Sequence, residues 1–214
     1  MSKPTWTPSL QLDDVEINKA DYVHQGFYQV KRLKLRHRCF SGEWSPWLTR
    51  EQIRRADAAA ILLFDPKQDK LVLIEQFRVG MVGVYADQSP WLLEIVAGLL
   101  EINERPEEAI IRESKEEAGC TPTQVIKIGE FYNTPGGFAE KTYMYLGIVD
   151  ATDVGGVHGV GTEHEDILVH VLPTEAVFAA LDNGSLVTSA STVMALQWLK
   201  MNRNKVPSQF TQNA

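Results

Sequence analysis

The sequence predicts an α+β fold, because strand-like segments make up most of the chain and a few helices interrupt them. Three features support this prediction. Side chains alternate with strand period in the N-terminal part, two apolar runs at residues 58–64 and 71–77 flank a turn, and a charged helix follows residue 105. The expected parts are an N-terminal antiparallel β domain at 1–54, a main domain at 55–205 and a flexible tail at 206–214.

The segment from Val15 to Ile53 predicts two or three antiparallel strands, with Trp44 and Trp47 in the returning strand. From Arg32 to Arg38, basic side chains alternate with other residues, which gives one charged face. That face suits either nucleic acid or a solvated surface that pairs with acidic residues of a neighbouring subunit. We expect no interleaved aromatic residues on it, which favours the second interpretation. A sheet this small is marginal alone, so we expect an oligomer.

The rest of the chain predicts strands, three helices and one long loop. The expected strands cover residues 58–64, 71–77, 91–100, 125–132, 141–149 and 167–172, and the later helices cover 175–181 and 189–201. Residues 151–164 contain four glycines and lead into an acidic cluster. Long glycine-rich loops are often functional, although an acidic loop tip also serves solubility.

The central helix begins at Pro106 and ends before Gly119, residues that suit a first helical turn and a left-handed C-terminus. Glu113, Glu116 and Glu117 share one face, because residues three and four apart are neighbours on a helix. Their mutual repulsion opposes folding unless a hard divalent cation such as Mg²⁺ binds the carboxylates. A solvated acidic face with intrahelical Glu–Lys pairs is the alternative interpretation.

Composition narrows the classes of function. The formal net charge is −7, which argues against nonspecific binding of nucleic acid, and a phosphate-bearing substrate would need a local metal or arginines. The two cysteines provide no disulfide framework, and the sequence contains neither an apolar leader nor a run of membrane-spanning length. We expect a soluble, cytoplasmic protein that binds neither nucleic acid nor a membrane.

The stretch around the central helix resembles the Nudix box, in which glycine, glutamate and arginine recur at fixed spacing. The matching positions are Gly98, Glu104, Arg112, Glu113, Glu116, Glu117, Gly119 and Cys120. Ser114 departs from the pattern, which has an aliphatic residue there. We expect Ser114 to face the core beside Ile110 and Ala118, with its hydroxyl bonded to a carbonyl one turn earlier.

The resemblance extends beyond the box to the ADP-ribose pyrophosphatases of the Nudix family. It rests on the segments 75–78, 91–94 and 163–166 and on Pro135, fifteen residues after Cys120. The family implies an α/β/α sandwich with a mixed sheet, and a homodimer that exchanges its N-terminal β domains. It also implies that two or three Mg²⁺ ions, with Mn²⁺ as a substitute, support hydrolysis of ADP-ribose to AMP and ribose 5-phosphate.

The resemblance also implies roles for individual residues. The metal ligands would be the Ala97 carbonyl, Glu113, Glu117 and Glu165. The catalytic residues would be Glu163 as the base, Glu116 in the metal shell and Arg112 as the group that holds the carboxylates. The substrate would meet Phe27 and Arg50 at the adenine, Arg78 at the diphosphate, and Glu94.

Two other functions stay open at this point. The same mechanism would serve another nucleoside diphosphate sugar or a dinucleotide. A binding module with a Nudix fold and no catalysis is the third possibility, and the intact trio of glutamates weighs against it because a pure binder gains nothing from their repulsion. The choice between Glu163 and Glu165 as the base is likewise open, and we favour Glu163.

Overall fold

The structure is a computed structural model that describes residues 6–84 and 86–206. Its strands are β1 (Val15–Gln25), β2 (Gln29–His37), β3 (Leu48–Arg54), β4 (Ala58–Asp65), β5 (Lys70–Phe77), β6 (Trp91–Glu94), β7 (Val96–Leu99), β8 (Gln124–Tyr132), β9 (Phe138–Ala139), β10 (Lys141–Ile148), β11 (Gly156–His158) and β12 (Ile167–Pro173). The helices are α1 (Pro106–Ala118), α2 (Thr174–Asp182) and α3 (Ala190–Asn202). The strands and helices divide into two compact units.

The first unit holds the described residues up to Arg55 together with Tyr132–Glu140. Its sheet has the order β1-β2-β3-β9, antiparallel except that β9 runs parallel to β3. The segment 132–140, which the sequence analysis assigned to the main domain, joins this unit because Ile53 donates a backbone hydrogen bond to the Gly137 carbonyl over 2.8 Å.

Two expectations for this sheet were wrong. Trp44 and Trp47 precede the returning strand, which begins at Leu48. Aromatic residues also accompany the basic face, since the Arg36 guanidinium lies 4.6 Å from the Trp44 ring centre and 4.9 Å from that of Trp47. A flat guanidinium stacks readily on an indole face, so the short segment before β3 carries both rings to the arginine. Arg36 also pairs with Glu16 on the adjacent strand, at 2.6 Å.

The second unit holds Ala56–Phe131 and the described residues from Lys141 onward. Its mixed sheet has the order β11-β12-β5-β4-β10-β8, in which β10 runs parallel to β4. Strands β4 and β5 pair with each other only near their shared turn, from Leu63 opposite Val72 to Asp65 opposite Lys70. Beyond that point β7 pairs with β4 and β6 pairs with β5, so the β6–β7 segment lies between them.

Helices cover both faces of this sheet, which confirms the α/β/α sandwich. One apolar cluster packs beneath α1 and includes Ile61, Ile74 and Ile110. The opposite cluster packs beneath α2 and α3 and includes Leu62 and Leu196. The uninterrupted burial of β4 follows from this double coverage, because both its faces meet helices.

The glycine-rich segment 151–164 is more ordered than the sequence analysis expected. It forms the short strand β11, in which Val157 lies opposite Leu168 of β12, and a 3-10 turn at Gly161–Glu163. At the C-terminus, Val206 of the expected tail is 1% exposed, and residues 207–214 lie outside the described part of the chain. Among the described residues, no helix has the length and apolar character needed to cross a membrane.

Candidate active site

Helix α1 supplies most of the candidate site, and its ends form as local chemistry dictates. Pro106 occupies the first helical position, and the backbone N–H of Arg105 donates to Glu108 Oε2 over 3.1 Å. Gly119 ends the helix with a φ of 64°. Ser114, which is fully buried, donates from Oγ to the Ile110 carbonyl over 2.6 Å, as the sequence analysis expected.

Two glutamates of α1 lie under the surface, where an ionised carboxylate is costly. Glu113 is 8% exposed and Glu117 is 3% exposed. Burial raises the pKa of Glu113, and burial followed by the nearby charge of Glu113 raises the pKa of Glu117 well above its usual value. Ionising both carboxylates is therefore costly for the protein in the absence of a bound cation.

Arg112 gathers the other acidic residues of the box. Its guanidinium donates to both carboxylate oxygens of Glu104 at 2.9 and 3.0 Å, to Glu113 at 2.7 Å and to Glu116 at 3.0 Å. A further bond of 3.3 Å reaches the Leu99 carbonyl. The bonds to Arg112 lower the pKa of Glu104, and the bond to Glu104 is the largest cause that raises the pKa of Arg112. Arg112 thus fixes the acidic groups relative to β7.

Strand β7 passes close to the buried glutamates. The backbone N–H of Ala97 donates to Glu117 Oε2 over 3.0 Å. At the next residue, Gly98, an added Cβ would lie 1.7 Å from Glu113 Oε1. The absence of a side chain at Gly98 is therefore what allows the Glu113 carboxylate to occupy its position beside the strand.

A second charged pair lies where β5 ends and β6 passes beside it. Arg78 Nε donates to Glu94 Oε2 over 2.6 Å. Glu94 is 5% exposed, whereas the Arg78 side chain is 40% exposed. Because Glu94 is opposite Ile74, a residue of the cluster beneath α1, its carboxylate is on the same face of the sheet as the buried glutamates. The buried carboxylate thereby anchors an arginine whose outer part is accessible to a ligand.

The two candidate glutamates of the loop before β12 have different surroundings. Glu165 Oε2 accepts a hydrogen bond of 3.1 Å from the Val160 N–H, and the charge of Glu165 adds to the causes that raise the pKa of Glu113 and Glu117. Glu163 is exposed on the 3-10 turn. The structure thus brings Glu165 into the electrostatic reach of the box, and it leaves Glu163 on the surface of the loop.

The two expected adenine contacts belong to the first unit. Phe27 is 70% exposed at the β1–β2 turn, and its ring meets that of Tyr28 edge-on at 4.9 Å. Arg50 on β3 donates to the Thr49 carbonyl over 2.8 Å. It lines a cavity of about 340 Å³ within that unit, together with Tyr132 and residues 135–139.

The donor groups near α1 fit a hard divalent cation. In the described ranges 6–84 and 86–206, no three His, Cys, Asp or Glu side chains converge closely enough to hold a metal by themselves. Carboxylates nevertheless lie near one another there, because the charges of Glu113 and Glu165 act on Glu117, which the backbone N–H of Ala97 also contacts. Mg²⁺ accepts such mixed sets, completed by water and substrate phosphates, and it would reverse the unfavourable charge of the buried pair.

The sequence analysis missed two contributors to the site. The Val160 N–H orients Glu165, and at Gly159 an added Cβ would lie 2.7 Å from Glu165 Cβ. Gly159 has a φ of 112°, so it is both conformationally special and tightly packed. The glycine content of the loop was the available signal, because a close approach between backbone and side chain also requires glycine.

Known proteins resemble this chain over most of its length. A family model described as the NUDIX domain matches residues 54–191. An ADP-ribose pyrophosphatase of Haemophilus influenzae is 36% identical over 190 residues, 88% of this chain and 87% of that protein. An ADP-ribose pyrophosphatase of Escherichia coli strain K12 is 37% identical over 211 residues, 98% of this chain and all of that protein.

A solved structure supports the same fold. It is described as the crystal structure of an ADP compounds hydrolase, with a TM-score of 0.67 and 21% identity over 93% of this chain and 98% of that one. At that identity the likeness bears on the fold alone. The family model spans helix α1, and together with the two relatives it shows that the chain belongs to the NUDIX family.

Proposed function

We propose that this protein is an ADP-ribose pyrophosphatase, which hydrolyses the diphosphate bond of ADP-ribose to AMP and ribose 5-phosphate. The observation that carries the proposal is the buried pair Glu113 and Glu117 on the same sheet face as the anchored Arg78. Relatives with that activity in their names match the chain over nearly its whole length, which supports the substrate. The diphosphate is negatively charged and repels an attacking oxygen, so its hydrolysis needs cations and arginines beside the bond that breaks.

The expected cofactor is Mg²⁺, in two or three ions, with Mn²⁺ as a substitute. The ligands would be Glu113, Glu117, the Ala97 carbonyl and Glu165, with Glu116 close by. When bound, the cations neutralise the diphosphate and supply an acidified water. Arg112 keeps the carboxylates of α1 in register through its hydrogen bonds to Glu113 and Glu116.

The remaining roles belong to residues that meet the substrate. Arg78 donates its Nε–H to Glu94, and its side chain is 40% exposed, so its outer N–H groups are available to bind the diphosphate oxygens. Glu163 on the 3-10 turn acts as the general base, since its carboxylate is exposed and can approach a bound substrate when the loop moves. Phe27 and Arg50 flank the adenine.

The active form is a homodimer in which the N-terminal β domains are exchanged. The first unit exposes several large apolar side chains, which supports a dimer because a second copy of the chain could cover them. Their exposed fractions are 58% for Ile17, 48% for Tyr22, 44% for Val23, 70% for Phe27 and 42% for Trp47. A light-scattering mass near twice 24.0 kDa at micromolar concentration is expected, and a mass near one chain would contradict the dimer.

Cys39 and Cys120 are free thiols, which supports the cytoplasm as the compartment.

The substrate is tested with a panel of diphosphates at saturating Mg²⁺. ADP-ribose, GDP-mannose, NADH, diadenosine polyphosphates and ATP are compared by kcat/KM, with products identified by chromatography. We expect ADP-ribose to lead and to give equimolar AMP and ribose 5-phosphate. Higher kcat/KM for a sugar nucleotide with another base would overturn the substrate and keep the reaction, whereas no hydrolysis of any member would favour a binding module.

A further inference from the structure

The β6–β7 segment bends where it leaves one neighbour for another. Glu94 ends the part that pairs with β5, and Val96 begins the part that pairs with β4. Ile95 lies between the two paired parts, and it is 1% exposed. A buried backbone N–H at such a point needs an acceptor from elsewhere, because an unpaired donor in the interior is costly.

The acceptor comes from helix α3, on the opposite side of the sheet from α1. The Ile95 N–H donates to Thr192 Oγ1 over 3.1 Å. Thr192 is fully buried, and its hydroxyl also shares a hydrogen bond of 2.9 Å with Ser189 Oγ, the N-cap of the helix. Just before the helix, Thr188 Oγ1 donates to the Leu93 carbonyl over 2.5 Å. Side chains at the start of α3 thus hold the bend from both sides.

The groups on either side of this bend reach into the candidate site. Glu94, one residue before Ile95, holds Arg78 through the bond of 2.6 Å. Ala97, two residues after it, donates to Glu117 over 3.0 Å. A shift of the Ile95 backbone would therefore move the anchor of the diphosphate arginine and the backbone beside the metal ligands together.

We infer that Thr192 is a positioning residue for catalysis, which sets the bend at Ile95 and through it the relative placement of Arg78 and Ala97. The inference rests on the roles proposed above for those two residues. Thr192 touches neither substrate nor metal, and its effect passes through the strand backbone. Misplacement of a catalytic group by about 1 Å can lower the rate by up to about a hundredfold. The loss of a single buried hydroxyl that positions the strand can therefore have a measurable effect on kcat.

The decisive variant is Thr192→Val, which keeps the shape of the side chain and removes the hydroxyl. We expect kcat for ADP-ribose to fall by roughly tenfold to a hundredfold. We also expect calorimetry of Mg²⁺ with the metal-free protein to show binding weakened by several-fold. Thr192→Ser keeps the hydroxyl that accepts from the Ile95 N–H, so its kcat should stay within a factor of about three of the wild type. Thr192→Ala, which also lacks the hydroxyl, repeats the test should the valine variant fail to fold.

Thr174→Val is the matched control. Thr174 is also a fully buried threonine at a helix start, and its hydroxyl has no hydrogen-bond partner among the described residues. The control should match the wild type in kcat and in Mg²⁺ binding. A merely structural role for Thr192 would lower the melting temperature of Thr192→Val and leave kcat and Mg²⁺ binding within a factor of two, which would overturn the inference.

The result can be separated from a failure of the proposed function. If the wild type fails on ADP-ribose, the substrate proposal falls, and the comparison of Thr192→Val with Thr192→Ser is made on the best substrate of the panel. The Mg²⁺ titration of the metal-free variants needs no substrate. A valine variant that equals the serine variant in both measurements contradicts the positioning role whichever substrate is cleaved.

Discussion

The backbone N–H of Ala97 donates a hydrogen bond of 3.0 Å to Glu117 Oε2, which joins strand β7 to helix α1. This bond offsets only part of the cost of burying the carboxylate, since the pKa of Glu117 stays well above its usual value through burial and the charge of Glu113. A protein seldom keeps two buried carboxylates four residues apart unless something positive joins them. Substitution of these buried carboxylates therefore gives the most direct test of the site.

Glu117→Gln should lower kcat by about a hundredfold or more while the protein stays folded, because a neutral amide is a poor ligand for a hard cation. The metal-free variant should melt at the same temperature as the wild type or higher, since the like-charge repulsion is gone. Steady-state hydrolysis, Mg²⁺ calorimetry and thermal unfolding in EDTA measure these effects. Wild-type turnover with unchanged Mg²⁺ binding would exclude α1 as the metal platform.

The stability of the metal-free protein should fall as pH rises. Burial raises the pKa of Glu113 and of Glu117 above the ordinary 4.5, so in this range the folded state binds more protons than the unfolded state. Stability then decreases with pH by up to about 1.4 kcal/mol per pH unit for each proton of difference. The decline begins near pH 4.5 and ends once both folded-state pKa values are passed.

Urea unfolding in EDTA between pH 5 and 8 checks this slope against Glu117→Gln, which should show a shallower decline. Saturating Mg²⁺ should abolish most of the slope for the wild type, because ligand binding to the folded state favours the ionised carboxylates. Wild-type and variant curves that run parallel in EDTA would show that the buried pair does not govern the pH dependence.

Gly98→Ala should damage activity far more than stability. The added Cβ would lie 1.7 Å from Glu113 Oε1, and the cheapest relief is a swing of that flexible side chain away from its site. We expect a loss of kcat/KM on the order of a hundredfold, with less than about 2 kcal/mol of destabilisation. Gly129→Ala on β8 is the control, because its Cβ would meet nothing within 4 Å. Equal activities of the two variants would contradict the requirement for glycine at position 98 beside the Glu113 carboxylate.

The features that sequence alone could predict are those set by neighbours in the chain. Helix α1 begins at Pro106 and ends just before Gly119 as expected, because caps act over one turn. The bond from Ser114 to the Ile110 carbonyl was predictable for the same reason, since it spans four residues on one helix. The alternating and apolar patterns likewise located β4, β5, β8, β10 and β12.

The features that escaped prediction depend on distant partners. Residues 91–100 were expected to form one strand, whereas the bend at Ile95 requires β4 and β5 to diverge and a hydroxyl from Thr192 to accept the freed N–H. No local period carries that information, because the two residues are 97 positions apart. Strand β11 escaped for a related reason, since only pairing with β12 orders its glycines.

Ser114 offers a test of packing at the box position that departs from the family pattern. Ser114→Ala should be within about 0.5 kcal/mol of the wild type, because alanine favours the helix and the Ile110 carbonyl keeps its helical role. Ser114→Leu should destabilise by about 1–3 kcal/mol, since the site is fully buried and closely packed. Urea unfolding distinguishes the two, and a leucine variant as stable as the wild type would reveal unfilled space beside Ile110.

Glu163→Gln should lower kcat by about 10² to 10⁴ with little change in KM, as loss of a general base does, and the deficit should shrink as pH rises and hydroxide becomes available. Glu163 is suited to that role because it is exposed on the 3-10 turn, and the box glutamates are not, because binding a metal lowers a carboxylate's pKa and occupies its lone pairs. A base often reaches the attacking water only after a loop closes on substrate.

Glu165→Gln is the matched comparison for this base, two residues along the same loop. Glu165 is partly buried, accepts the Val160 N–H and lies within electrostatic reach of Glu113 and Glu117, so its loss should raise the Mg²⁺ concentration needed for half-maximal activity. Its pH profile should keep the wild-type shape, because no proton acceptor has been removed. If Glu165→Gln instead shows the pH-dependent loss while Glu163→Gln stays within a few-fold of the wild type, then the more buried glutamate is the base and Glu163 serves only the loop.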